Sequence, residues 1–411
     1  MRNSQSFLKK IILHSPLSLI LFLTLFLIMS FKYSLNLADF GDYIRAGSLI
    51  ADRTNPYGSL MYANSPVSAL FFYSISLLIP FSILPIMIHL LSVIGTVYFL
   101  KWYLNQKLNA MVFYILSLLL VSGVGRALFG NVQVTGITLG LVAAAFAINT
   151  KYKFNFLPIF LLFLAFEIKA QIAIPFLVLY IFQGVGVFKK ISIFVISTLS
   201  IHASIEMYYG GNLHLVWLKK VIKYSQNSIL ESSYEISIWK SINDIFEQEH
   251  LIRILSTITV LFFLLLIMKF SNQNSDKAVF LALVFPIFNS YVHLYDFIGV
   301  LLIAIKYVSR GRIEKIILVF PFLFIFPLSI NLFYSSILIE LLLLIIVLYK
   351  YRNQAYIGLI FGLFIYQIFM FPHLINRNQE IQMSFYLSVP TLLLSLYTYR
   401  NTFKNSSLLN N

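Results

Sequence analysis

The segment "LADFGDYIRAGSLIADRTNPYGSL", which starts at residue 37, places Asp39 and Asp42 directly after a hydrophobic run. Carboxylates stand out here because only 11% of the chain is charged. A carboxylate in a partly dehydrated site can accept a proton from an incoming hydroxyl, which is general-base chemistry. Either aspartate could instead cap a helix that runs through "YIRAGSLIAD", a role that needs no ligand. The residue types alone leave both alternatives open.

Other ionisable side chains interrupt the apolar runs farther along the chain. Such groups are costly at membrane depth, so each one is a candidate for function. In the topology derived below, all but Glu340 fall on or near one side of the membrane, which suggests a shared cavity. These candidates are Glu167, Lys169, His202, Glu206, Asp296 and Glu340, with Arg126 and His293 at the boundary.

Lys169 lies in the middle of an apolar run, two residues after Glu167. Residues at this spacing do not face each other on a helix, so the pair indicates a helix break or two separate partners. Lys169 is either half of a buried ion pair or a cation directed at a ligand phosphate.

His202 and Glu206 are four residues apart and therefore share one face of a helix. A hydrogen bond between the two side chains is the favoured interpretation. A metal site that also includes Asp39 is the alternative, because histidine and carboxylate are common metal ligands.

Two further segments carry polar groups where helices meet. In "RALFGNVQVTG", Arg126, Asn131 and Gln133 lie at the end of a predicted helical hairpin, although Gly130 alone would explain the turn. In "NSYVHLYD", irregular backbone would let His293 and Asp296 point into the same cavity.

The elements that must position these residues are membrane helices. The chain is 59% hydrophobic with a mean hydropathy of +0.86, and apolar runs long enough to span a bilayer recur from end to end. The runs are continuous rather than alternating, which favours helices over a β-barrel. We therefore predict an all-α, polytopic transmembrane helical bundle that forms a single integral membrane domain over residues 1–411. The chain has no cysteine, so disulfides, thiolate metal sites and cysteine nucleophiles are excluded.

The net charge of +15 could indicate a nucleic-acid partner, but its distribution favours membrane topology. When the predicted helices alternate sides, 19 of the 30 Lys and Arg residues fall on one side. This asymmetry follows the positive-inside rule. We therefore predict a multi-pass protein of the plasma (inner) membrane with both termini cytoplasmic and no nucleic-acid partner.

The predicted bundle contains about 10 to 13 membrane helices. Two long outer loops are predicted at 32–66 and 210–250, and the second carries a surface helix in "LHLVWLKKVIKYSQNSI". Segments 156–188 and 278–308 each start and end near basic residues of the inside set, so they are predicted to be broken hairpins. The regular spans are predicted near 11–31, 84–101, 109–125, 133–149, 191–209, 251–269, 313–330, 335–349, 355–372 and 383–399.

The first loop resembles that of a known enzyme family. Its patterns Asp39-Phe40-x-x-Tyr43-x-x-Ala46, Asn55-Pro56-Tyr57 and Tyr62-x-x-x-Pro66 are similar to the first outer loop of glycosyltransferase family 87. Segments "GNVQVTGITLGLVAAAFAINTKYK" and "FLAFEIKAQIAIPFLVL" extend the similarity over roughly the first half of the chain. The chain departs from the family at Asn64-Ser65-Pro66, where Tyr-Pro-Pro is usual, and at Gln226-Asn227-Ser228, where Asn-Gln-Ser is usual.

The resemblance implies a GT-C fold and an enzyme that uses a polyprenyl-phosphate sugar as donor. It implies transfer of a hexose, mannose-like, to a lipid or glycan acceptor at the outer face of the membrane, with inversion and with Asp39 as the base. Membrane lipids would be the remaining partners. A divalent metal is compatible with this chemistry, but no feature of the sequence requires one.

The expected site has three groups of residues. Asp39 and Asp42 are assigned to catalysis, and a cation is needed to stabilise the leaving phosphate. The phosphate partners are Lys169, Arg126 and His293, and the residues of the acceptor side and cavity are Tyr43, Asn131, Gln133, Glu206 and Asp296.

Three other classes of protein compete with a transferase. A flippase or transporter for lipid-linked glycans would also bury charges, but would more often show related halves with binding residues near the midplane. A polymerase or ligase of surface polysaccharide would share the lipid-phosphate chemistry and is separated only by the first-loop pattern. A purely structural membrane protein is disfavoured by the clustered ionisable groups.

Overall fold

A computed structural model describes residues 15–33, 38–58, 64–105, 110–121, 123–149, 156–231, 239, 242, 248–289, 296 and 298–309. The described part is helical, with no strand in it. The predicted spans near 313–330, 335–349, 355–372 and 383–399 lie outside these residues, as do His293 and Glu340.

Fourteen α-helices are present in the described part, and a 3₁₀ turn follows the thirteenth at Phe285–Phe288. In chain order they are α1 Ser15–Tyr33, α2 Ala38–Ala51, α3 Pro66–Leu78, α4 Leu84–Leu104, α5 Ala110–Val121, α6 Gly123–Gly130, α7 Thr135–Asn149, α8 Phe156–Ile168, α9 Ala170–Phe182, α10 Val187–Tyr209, α11 Leu213–Glu231, α12 Glu249–Gln273, α13 Ser275–Val284 and α14 Ile298–Ser309.

Four of these helices, α1, α4, α10 and α12, are long and apolar enough to cross a membrane. They match the spans predicted near 11–31, 84–101, 191–209 and 251–269. Much of their apolar surface is exposed, as shown by Ile196 at 63% and Leu199 at 64%. An apolar surface of this kind is unusual on a soluble protein and suits contact with lipid. The four helices therefore indicate a membrane protein.

Small residues allow α4 and α7 to pack closely. Gly136 and Gly140 lie one turn apart on α7, facing Gly95 of α4. A Cβ atom on Gly136 would lie 2.1 Å from the carbonyl oxygen of Ser92. Close approach through small residues at this spacing is a common basis of helix association in membranes. It fixes the start of α7, which carries part of the candidate site.

The prediction of one helix near 109–125 is wrong, because this region forms α5 and α6. The backbone near Gly125 folds back on the end of α5, and a Cβ atom at residue 125 would lie 2.0 Å from the carbonyl oxygen of Leu119. Only glycine permits this approach, so the chain bends where hydrophobicity alone predicts a continuous span.

The first long loop contains helix α2, which packs against α3. Phe40 and Tyr43 of α2 contact Phe72 of α3 edge-on, with ring centroids 5.1 and 5.2 Å apart. The same hydrophobic cluster includes Val132 and Ile168. It therefore joins the first loop to the turn before α7 and to the end of α8.

The interruption predicted in "EIKAQIAIP" lies at Lys169, the single non-helical residue between α8 and α9. At the other end of α9, Lys190 of α10 donates to the carbonyl oxygens of Tyr180 and Gln183 at 3.0 and 2.5 Å. Basic groups at a helix C-terminus satisfy carbonyls that have no partner within the helix. Lys190 thus binds α10 to the end of α9.

The second long loop contains the predicted helix of "LHLVWLKKVIKYSQNSI", here α11. Trp217 and Val221 are half-buried, whereas Lys219 and Lys223 are exposed. The buried Trp239 follows in the same loop, and its ring N–H donates to the carbonyl oxygen of Phe288 at 2.7 Å. The loop is therefore joined to the 3₁₀ turn.

Candidate functional site

Asp39 lies in the first turn of α2, exposed on one side. Helix α2 begins at Ala38, so neither Asp39 nor Asp42 is the residue that precedes the helix, where a capping side chain would stand. The side-chain amide of Gln133 donates to Asp39 Oδ2. The Asp39 carboxylate is therefore held by a residue from the turn before α7.

The pKa of Asp39 is raised above its ordinary value, mainly because surrounding protein atoms remove water from the carboxylate. The positive charge of Lys169 opposes this rise, the charge of Asp42 adds to it, and the hydrogen bond from Gln133 opposes it. A carboxylate with a raised pKa is a stronger base than an ordinary aspartate while it is ionised.

Lys169 is almost fully buried at the break between α8 and α9. Its ammonium donates to Thr135 Oγ1 at 2.9 Å and to Gln133 Oε1 at 3.3 Å. It also forms an ion pair with Asp296 Oδ1 at 3.0 Å. The alternative of a buried ion pair is therefore found, with Asp296 as the partner.

Gln133 connects the two charged groups. An ammonium can only donate, so the Gln133 oxygen must face Lys169 and its NH₂ group must face Asp39. On the far side, Gln171 Nε2 donates to Asp296 Oδ2 at 3.2 Å. These contacts define the Asp39 network, which consists of Asp39, Gln133, Thr135, Lys169, Gln171 and Asp296.

Glu167 points away from Lys169, as their spacing predicts. Its carboxylate accepts from Ser65 Oγ and lies 3.0 Å from His202 Nε2. The predicted bond between His202 and Glu206 is not the one observed. His202 Nδ1 instead lies 2.6 Å from His214 Nε2, and His214 Nδ1 contacts Glu206. The turn between α10 and α11 brings His214 between the two residues that sequence spacing had paired.

The other predicted site residues have varied positions. Tyr43 is buried, and its hydroxyl donates to the carbonyl oxygen of Ile168 at 3.4 Å, so it supports the contact between α2 and α8. Asn131 is half-buried in the turn after α6. Arg126 lies on helix α6, and His293 lies outside the described residues.

Sequence reasoning missed Ser65, Thr135, Gln171 and His214. Gln171 was detectable as a polar residue inside an apolar run. Ser65 and Thr135 resemble ordinary helix-end residues, and His214 lies in a segment assigned to the membrane surface. Their contacts depend on helix packing, which residue type does not reveal.

A polar surface depression lies at the other end of α9, about 20 Å along the helix axis from Lys169. It includes none of the predicted site residues, and Gln183, Asn272 and Asp276 are among its lining residues. Within the described part of the chain, no group of three or more His, Asp or Glu side chains is arranged to hold a metal ion.

Comparison of the chain with protein families, with curated proteins and with solved structures finds no match.

Proposed function

We propose that the protein is a membrane glycosyltransferase that uses a polyprenyl-phosphate sugar. In this proposal a hexose passes to a lipid or glycan acceptor at the outer face of the plasma membrane. The observation that carries it is the Asp39 network, in which a carboxylate on the first loop is held by Gln133 and, through it, by Lys169. The first-loop resemblance supports the same assignment.

In the proposed reaction the acceptor oxygen attacks the anomeric carbon while its proton passes to Asp39. The bond between that carbon and the phosphate oxygen breaks, and polyprenyl phosphate leaves with the bonding electrons. Configuration at the anomeric carbon inverts because the new bond forms on the face opposite to the broken one. Outside the cytoplasm a lipid-linked donor is appropriate, because nucleotide sugars are absent there.

We assign Lys169 first to positioning Asp39. Its contacts to Thr135, Gln133 and Asp296 occupy the three donors of an ammonium. A donor phosphate would have to displace one of these acceptors. Phosphate binding by Lys169 stays a prediction, with Arg126 and His293 as the other candidate partners.

The first prediction tests whether Asp39 is the general base. Asp39→Asn keeps the shape of the side chain but removes its capacity to accept a proton, so transfer should fall by about 10²-fold or more. Asp42→Asn should cost less, and Asp52→Asn, at an exposed position just after α2, serves as the matched control. Transfer is measured with the purified protein in lipid nanodiscs, labelled polyprenyl-phosphate hexoses and an acceptor lipid extract.

The outcomes of this assay distinguish a transferase from the competing classes of membrane protein. Transfer that is lost only in Asp39→Asn supports the proposal, whereas loss only in Asp42→Asn means that the other aspartate is the base. In reconstituted vesicles, movement of a lipid-linked glycan between leaflets without covalent transfer would identify a flippase instead. Extension of a polymer would identify a polymerase.

A further inference from the structure

A second group of titratable side chains lies apart from the Asp39 network. It runs from Glu167 on α8 through His202 on α10 and His214 on α11 to Glu206, which closes the turn between α10 and α11. Each contact in this series joins a ring nitrogen to the next titratable group. We call His202 and His214 the histidine pair, and Glu167 and Glu206 its two carboxylates.

The burial of the group changes from one end to the other. The Glu167 side chain is 1% exposed, whereas that of Glu206 is 31% exposed. Of the two rings, His202 is 15% exposed and His214 is 23% exposed. The series therefore leads from a buried carboxylate to one that solvent can reach.

The two carboxylates act as acceptors. Ser65 Oγ donates to Glu167 Oε2 and accepts from the backbone N–H of Val67. Glu206 accepts the backbone N–H groups of Leu213 and His214 at 2.9 and 3.0 Å. We take both carboxylates as ionised, because each accepts in its contacts with Ser65 or with the backbone, and each then requires a hydrogen on the ring nitrogen that it faces.

The hydrogens on the two rings can then be counted. His202 Nε2 and His214 Nδ1 each carry one for the carboxylates, and the 2.6 Å contact between the two inner nitrogens requires a third. Two neutral imidazoles carry only two N–H hydrogens in total. With both carboxylates ionised, the three contacts need one extra proton, and one positive charge, on the pair.

We propose that Glu167, His202, His214 and Glu206 form a proton relay between the buried end of α8 and the turn after α10. This inference does not depend on glycosyl transfer. Either ring can hold the extra proton, because the inner hydrogen can belong to His202 Nδ1 or to His214 Nε2. The charge lies next to Glu167 in the first state and next to Glu206 in the second.

The relay is balanced in protons. In the state counted above, the proton that entered from Glu167 is already on His202 Nε2. The inner proton settles on His214 Nε2, and the Nδ1 proton of His214 passes to Glu206, which releases it to water. One proton has then entered and one has left, and both rings are neutral with their hydrogens on Nε2. Both rings must return to the Nδ1 tautomer before the next proton can enter from Glu167.

Two aromatic side chains of neighbouring segments lie near this group. Tyr57 of the first loop is close enough to Glu167 for the carboxylate charge to act on its hydroxyl. Trp217 of α11 contacts both rings. It stacks on His202 with an interplanar angle of 12° and meets His214 edge-on at 86°, with centroids 6.0 and 6.4 Å away.

Trp217 provides the readout, because a charged imidazolium stacked on an indole interacts with its π-system and quenches its fluorescence. The chain has three Trp residues, so Trp102→Phe with Trp239→Phe leaves Trp217 as the sole emitter. If those changes destabilise the protein, the difference spectrum between the natural chain and Trp217→Phe gives the same signal.

The decisive comparison uses two isosteric changes in the full-length purified chain. Glu206→Gln removes the attraction at His214, so the proton should move to His202 and lower the emission of Trp217. Glu167→Gln should move the proton to His214 and raise the emission. His250→Gln, at an exposed position of α12, is the control and should change neither.

Opposite changes in the two variants support the relay. Changes of the same sign, or no change in either variant, would overturn it. The measurement is repeated after exhaustive chelation of metal ions. A wild-type emission that changes on chelation would mean that the ring nitrogens bind a metal, which also overturns the relay.

Discussion

At the scale of single residues, Lys169 is a charged group buried in an apolar part of the protein. A charge this deeply buried is tolerated only when its partners offset the cost of removing it from water. Asp296 supplies the opposite charge, and Gln133 and Thr135 accept the remaining hydrogens. Removing one partner of such a pair leaves the other charge uncompensated.

The second prediction follows from this ion pair. Lys169→Met should lower the free energy of unfolding by about 3–5 kcal/mol, because Asp296 then remains buried without its cation. Lys169→Met combined with Asp296→Leu should recover much of that loss. Thermal stability is measured by size-exclusion chromatography of heated, detergent-solubilised protein. The control is Lys169→Met with Glu167→Leu, and recovery there would mean that Glu167 is the true partner.

The third prediction concerns pH. Transfer requires ionised Asp39, so the rate should be lost as pH falls through the pKa of that group. Lys169 lowers this pKa, and its removal must raise it further. In Lys169→Met with Asp296→Leu, the acidic limb of the rate profile should therefore move to higher pH. Initial rates at saturating donor test this, and an unchanged limb would show that Lys169 does not act on the base.

The sequence identifies most members of the Asp39 network but not their pairing. Asp39, Gln133, Lys169 and Asp296 are conspicuous because polar groups are rare in such an apolar chain. The partner of Lys169 is set by how the residue Asp296, which precedes α14, meets the starts of α9 and α7, which no local spacing encodes. The pairing of His202 with Glu206 failed for the same reason, since the turn at Gly210 brings His214 between them.

At the scale of elements, hydrophobic length predicts the long helices α1, α4, α10 and α12 well, because a bilayer demands long apolar runs. Hydrophobic length predicts poorly where the chain bends between two helices. The break at Lys169 was visible as charge within an apolar run, whereas the bend between α5 and α6 depends on a close backbone approach at Gly125. Lys190 follows Lys189 at the start of an apolar run and gives no sign in the sequence that it is buried and binds carbonyls of α9.

The fourth prediction tests this contact. Lys190→Met leaves the carbonyl oxygens of Tyr180 and Gln183 without their donor, so stability should fall by about 1–3 kcal/mol. Lys189→Met removes the same charge from an exposed neighbour and should change stability little. The heated-protein chromatography assay applies to both variants. Equal losses of stability in the two variants would mean that the positive charge, rather than the hydrogen bonds to α9, stabilises the protein.

At the scale of the whole molecule, both polar groups lie at helix ends that meet. The start of α7, the end of α8 and the start of α9 carry the Asp39 network, and the end of α10 and the start of α11 carry the histidine pair. That the ionisable residues share one side of the membrane stays a prediction, and the distribution of Lys and Arg predicts that this side is extracytoplasmic.

The fifth prediction tests that orientation. The chain has no cysteine, so a single introduced cysteine is the only thiol in the protein. Gly58→Cys lies in the first long loop and should react in intact cells with a thiol reagent that cannot cross membranes. Asn405→Cys, near the C-terminus, should react only after the cells are permeabilised, because the excess of basic residues retains that side in the cytoplasm. Reaction of both cysteines in intact cells would contradict the topology and, with it, a base that faces lipid-linked donors outside the cell.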